Sequence, residues 1–171
     1  LSSKLFLVLI ISFLFTACEK KNSNGLEKVH WDRDMCKRCS MIISEKGFAV
    51  QIVNPSSNKK YKFDDIGCSV LWFAQNNQDW FDTAKIWIKD ANNLEWIDAR
   101  KAFWTIDNVT PMNYGLAAYT QKNLPTSSNA IDFSAAIEMI NHQDYQHQLR
   151  RKHALHKREE AKQLHNMQDM K

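Results

Sequence analysis

Four sulfur-bearing side chains fall within seven residues of this sequence: Met35, Cys36, Cys39 and Met41, in the run MCKRCSM. Thiolates and thioethers are soft donors that select Cu(I), whereas imidazole and carboxylate suit harder ions. A thioether also needs no deprotonation, so its hold on a metal does not depend directly on pH. Three other chemistries compete for these residues. A structural zinc site wants a second ligand pair downstream, and here only Cys68 follows before a histidine-rich tail. A redox dithiol wants its first cysteine at a helix N-terminus, whereas this C-x-x-C follows a polar stretch and precedes a hairpin pattern. A loop with a reducible disulfide and two packing methionines needs no partner at all. Cu(I) is the ion this donor set suits best.

Other candidates are more ordinary. Cys68 lies in the first turn of a predicted helix, where the helix dipole favours a thiolate, but it shares an apolar face with Leu71 and Trp72 and reads first as core. Met112 stands between Pro111 and Asn113, in a loop rather than on an apolar face. His30 reads as a strand-end histidine. His153 and His156, at i and i+3, share a helical face whose charge marks it as solvated. Asp64 and Asp65 are adjacent carboxylates, which do not face each other in a helix or strand, so a helix cap explains them. There is no Gly-rich phosphate loop, no G-x-S-x-G and no H-E-x-x-H, so the chain does not read as an enzyme.

The elements that must position these residues follow from pattern. Leu5 to Phe15 is an apolar run of about 11 residues, shorter than the ~20 that a membrane-spanning helix needs, and it fits the core of a secretory signal over 1–17. Leu14-Phe15-Thr16-Ala17-Cys18 looks like a bacterial lipobox, with Cys18 the lipidated residue. Residues 18–28 are polar and read as a flexible tether. The run 48–53 and the run 60–63 flank Asn54-Pro55-Ser56-Ser57-Asn58 and read as a β-hairpin. Cys68, Leu71, Trp72 and Gln75 recur at helical spacing after the Asp64-Asp65 cap and end near Asn76-Asn77. A second set begins with a strand at 84–89 and another at 94–97, passes an ambiguous segment over 98–106, and reaches a short strand at 117–119. Asp132 then caps a helix carrying Phe133, Ala136, Ile137 and Ile140. The fold class is α+β, with two small, similar β-β-α-β units of antiparallel strands over about 29–82 and 83–145. The tail 146–171 reads as partly helical and solvated.

Net charge is +4, and seven of the 23 Lys and Arg but only three of the 19 acids lie in residues 146–171, so the remainder is balanced. That excludes the basic stripe that nucleic-acid binding requires. Three cysteines besides Cys18 are an odd number, and an exported disulfide scaffold would show an even count at higher density.

Taken in order, Cys18, the His30-Trp31-Asp32-Arg33-Asp34-Met35-Cys36-Lys37-Arg38-Cys39-Ser40-Met41 block, Phe63-Asp64-Asp65-Ile66-Gly67-Cys68, Trp96-Ile97-Asp98-Ala99-Arg100 and Pro111-Met112-Asn113-Tyr114-Gly115 resemble the NosL family over about 18–140. The resemblance implies a Cu(I)-binding chaperone, not an enzyme, that assists maturation of nitrous oxide reductase. It implies lipid anchoring through Cys18 in the bacterial envelope, facing the periplasm, and work beside an ABC-type transporter complex. It also implies metal ligands among Cys36, Cys39, Met41 and Met112, with Met35 in reserve. Family members commonly read C-x-x-C-G-M and carry a glycine after the later methionine; this chain has Ser40 and Asn113 there. The basic, His-rich tail has no counterpart in that pattern.

Overall fold

β-Branched and aromatic residues on either side of 54–59 pair as the hairpin that the sequence predicts. The computed structural model describes residues 25–169, so the expected signal over 1–17 and the lipid site at Cys18 lie outside the described residues. β1 (Val50–Val53) and β2 (Lys60–Phe63) are antiparallel, with Val50 opposite Phe63. Asn54 closes their loop by accepting from the backbone N–H groups of Ser56 and Ser57, as an Asx turn does.

The second half does not build a sheet of its own from its first strands. β3 (Lys85–Lys89) pairs antiparallel with β1, and β4 (Trp96–Asp98) with β3, giving one sheet in the order β2-β1-β3-β4. The two expected units therefore interlock. The reason lies in β1, whose four residues are all buried, so that it must be central in the sheet and covered on both faces. Successive side chains alternate between faces, and Gln51 therefore points away from Val50 and Ile52. Its amide is satisfied by Glu27, with Glu27 N–H donating to Oε1 and Nε2 donating to the Glu27 carbonyl, both at 3.0 Å. Lys62 Nζ donates to the Lys28 carbonyl at 2.8 Å. The expected tether over 18–28 is corrected at its end: Glu27 and Lys28 are fixed to the sheet by a buried amide that sequence periodicity does not reveal.

The other face of the sheet carries α1 (Ile66–Gln75), capped by Asp65, whose side chain accepts from Gly67 N–H. Every residue from Ile66 to Phe73 is buried, because α1 lies against β1 and β2 and also against the last helix. Trp72, Phe73, Trp80 and Tyr61 form a connected aromatic group beside it. The ambiguous segment resolves into a single 3-10 turn at Ala99–Lys101 and β5 (Phe103–Thr105), which pairs with β6 (Ala117–Tyr119).

α2 (Phe133–Asp169) begins at Asp132, whose carboxylate accepts from Ala135 N–H at 2.8 Å. Phe133, Ala136 and Ile140 are buried. The tail was expected to be helical only in part; it is helical without a break to Asp169. The run contains no Gly or Pro and is rich in Ala, Leu, Gln, Glu, Lys and Arg, all strong helix formers. From Arg150 to Gln163 every residue is exposed, as its charge predicts. Among the described residues no helix is long and apolar enough to cross a membrane.

Candidate metal centre

The C-x-x-C lies at the tip of a narrow hairpin. Met35 and Ile42 form an antiparallel bridge, and inside it Cys36 N–H donates to the Met41 carbonyl at 2.8 Å while Ser40 N–H donates to the Cys36 carbonyl at 3.0 Å. Closing so tight a tip requires one left-handed residue, and Ser40 takes that role with φ 61°; glycine meets that requirement without a β-carbon penalty. Lys37 N–H donates to the Lys62 carbonyl at 2.8 Å, which ties the tip to β2 just before Asp64.

Chain direction then delivers two further donors. β2 ends at Phe63, Asp64 and Asp65 follow, and the first turn of α1 brings Cys68 back toward the tip. Ligand atoms of Cys36, Cys39, Asp64 and Cys68 all lie within 4.8 Å of one another, and all three cysteines are free thiols. The core reading of Cys68 is right about its burial, which is complete, but omits that it faces the other two sulfurs. The cap reading of the aspartate pair holds for Asp65 alone. Asp64 points the other way, with both carboxylate oxygens 3.7 Å from Cys39 Sγ.

The methionines differ in exposure. Met35 is 63% exposed and Met41 47%, as expected at a hairpin surface. Met112 is partly buried against the core, and its backbone N–H donates to Asp65 Oδ2 at 3.3 Å, so the 110–115 loop of the second half is held at the start of α1. Asn113 takes φ 59°, the left-handed counterpart of Ser40 in the other loop. A β-carbon on Gly67 would overlap the Tyr114 ring, which shows how closely that loop covers the helix start. His30 is held outward by Asp34, with Nδ1 3.5 Å from the carboxylate. His153 and His156 lie on the exposed part of α2, where His156 Nε2 is 3.1 Å from Glu160.

The cluster carries an uneven charge. Cys36 is 2% exposed, yet hydrogen bonding from the Cys68 thiol, helped by Asp64 and against the cost of burial, holds it near 4, so it is a thiolate. The Cys68 thiol is pushed up, first by donating that bond and then by burial. Burial and the Cys36 charge push Cys39 up to about 11, and burial with the same neighbour pushes Asp64 up to about 6. With Cys36 ionised beside the protonated Cys39 and Cys68 thiols, binding of a metal ion by all three sulfurs would release two protons.

Arg38, between the two cysteines of the motif, lies across the inner side of the cluster. Its Nη1 donates to Cys68 Sγ at 3.8 Å and to the Tyr114 hydroxyl at 3.5 Å. Its Nε donates to Gln75 at 3.0 Å, and Nη2 lies 3.9 Å from Asp144 on α2. The side chain is only 16% exposed.

No curated protein matches the chain in sequence. Among solved structures, the crystal structure of the copper chaperone NosL from Shewanella denitrificans aligns with a TM-score of 0.47 and 15% identity, covering 67% of this chain and 87% of that one. The NosL family model matches residues 29–125, from the start of the core to the loop before α2. That match spans more than half of the chain and includes every cysteine of the cluster: the protein belongs to the NosL family.

Proposed function

We propose that this protein is a Cu(I) chaperone that binds the ion through Cys36, Cys39 and Cys68 and passes it to an acceptor protein. The observation that carries the reading is the convergence of three free cysteine sulfurs and the Asp64 carboxylate within 4.8 Å. Three thiolates suit a soft monovalent ion. The half-exposed Met41, two residues after Cys39, and the partly buried Met112, on the loop held to Asp65, supply the thioethers through which copper enters and leaves in this reading, with the most exposed methionine, Met35, in reserve. Ligand-by-ligand exchange of this kind lets an acceptor take the metal without unfolding the donor. The remaining expectations join this reading: lipid anchoring through Cys18 at the periplasmic side of the bacterial envelope, an ABC-type transporter complex as neighbour, and nitrous oxide reductase as the copper acceptor.

A thiol–disulfide role is served poorly by the same geometry. The nucleophilic thiolate, Cys36, is buried, whereas the more accessible Cys39 holds its proton, and a disulfide-exchanging enzyme needs its thiolate at the surface.

The test is a Cu(I) titration of the reduced full chain in detergent against a competing chelator. Cys68→Ser should weaken binding by at least about tenfold, because it replaces a soft thiolate ligand with a hard hydroxyl that Cu(I) binds poorly. Met41→Leu and Met112→Leu should change transfer to an acceptor more than affinity. A parent chain that does not bind Cu(I) ends the chaperone reading; undiminished affinity in Cys68→Ser removes that residue from the ligand set.

A further inference from the structure

Three cysteines and an aspartate are a donor set that zinc also accepts, at tetrahedral geometry. Donor identity alone therefore does not explain a preference for a monovalent ion, and the selectivity proposed above needs a further source. This inference rests on the Cu(I) reading of the same cluster.

The source is visible in what surrounds the donors. Arg38 is the cation in contact with the cluster, with Nη1 3.8 Å from Cys68 Sγ. A guanidinium stays protonated throughout the accessible pH range, so its charge is a fixed part of the site. The group is also held in place, by Gln75 on α1, Tyr114 from the second half and Asp144 on α2. It cannot swing away when a cation enters without giving up all three.

We propose that Arg38 is a specificity-determining residue, whose fixed positive charge beside the thiols biases the site toward a monovalent soft ion and against a divalent one. The electrostatics are direct. A cation bound among these sulfurs sits within a few ångströms of the guanidinium and is repelled by it in proportion to its charge, so a divalent ion suffers twice the penalty of a monovalent one. At these separations and with the effective dielectric of a partly buried site, one unit of charge separates the two ions by at least about tenfold in affinity. The anionic thiolate complex that Cu(I) forms is stabilised by the guanidinium. Zn(II), which neutralises more of the thiolate charge itself, gains less. Arg38 donates no ligand atom and acts only through charge, which distinguishes it from the cysteines.

The experiment measures Cu(I) and Zn(II) affinities separately on the reduced full chain, for the parent, Arg38→Gln and Arg38→Lys, and compares their ratio. Arg38→Gln keeps hydrogen-bonding capacity and removes the charge, and should move the ratio toward Zn(II) by about tenfold or more. Arg38→Lys keeps the charge and should retain most of the parent ratio even where loss of the guanidinium contacts lowers stability. A ratio unmoved in Arg38→Gln, or moved equally in Arg38→Lys, overturns the assignment. Failure of the parent to bind Cu(I) overturns instead the chaperone reading beneath it, so the two failures are distinct.

Discussion

The Thr110 hydroxyl donates to Asp65 Oδ2 at 2.6 Å, joining residues 45 positions apart. Asp65 caps α1 with its other oxygen through Gly67 N–H at 2.9 Å. One carboxylate thus fixes both the helix start that carries Cys68 and the loop that carries Met112.

Thr110→Val removes that hydroxyl with little change of shape. Asp65 is nearly inaccessible to solvent, so water cannot replace the lost donor, and a buried hydrogen bond to a carboxylate contributes about 2 kcal/mol. Urea unfolding should show a free energy of unfolding lower by that amount, read as a lower midpoint at unchanged slope. An unchanged midpoint would show that the loop and helix start are held together by packing alone.

Asp90 gives the fold an acid limit. Its side chain accepts from Asn92 and Asn93 N–H, Thr120 N–H, the Thr120 hydroxyl and the Asn123 amide. Burial alone would push the carboxyl up; the combined hydrogen bonds outweigh it and hold the carboxyl below its ordinary value. A carboxyl with a folded pKa below its unfolded value of about 3.9 contributes stability that is complete above that pH and lost as pH falls through the folded value. Asp90→Asn should therefore cost about 2 kcal/mol at pH 7, and the gap between variant and parent should narrow below about pH 4. Unfolding curves collected across pH check this, and a gap that stays constant into acid rejects it.

Ser40 occupies a left-handed conformation at φ 61°, which costs a residue with a β-carbon about 1–2 kcal/mol. Glycine removes that strain but returns about 0.5–1 kcal/mol through the greater freedom of its unfolded chain. Ser40→Gly should then stabilise the apo protein by about 0.5 kcal/mol, seen as a small rise in melting temperature. A fall in melting temperature would mean that the serine side chain contributes something at the tip beyond its backbone geometry.

The hairpin of β1 and β2 and the span of α1 were legible, because turn residues and apolar periods speak directly about local backbone. The C-x-x-C was legible as half a site. Cys68 and Asp64 were not, for a physical reason: α1 is buried nearly all round, so helical period cannot distinguish the side that packs against Trp72's neighbours from the side that meets the thiols. The Asp64-Asp65 pair was read as a cap because adjacent residues point apart. They do point apart, and it is this divergence that gives Asp65 to the helix and Asp64 to the sulfurs. The interlocked sheet escaped notice because strand patterns do not say which strands pair, and the burial of Gln51 in β1 depends on Glu27, which the strand pattern does not reach.

α2 has its base at the site. Gln143 donates to the Asn113 carbonyl at 2.8 Å and Asp144 reaches Arg38, after which the helix runs on to Asp169, exposed throughout from Arg150 to Gln163. At 1.5 Å per residue, the 145–169 stretch is about 37 Å long. A partner that gripped only its far end would therefore sit a full small-domain width from the thiols, and would have to fold back along the helix to meet them.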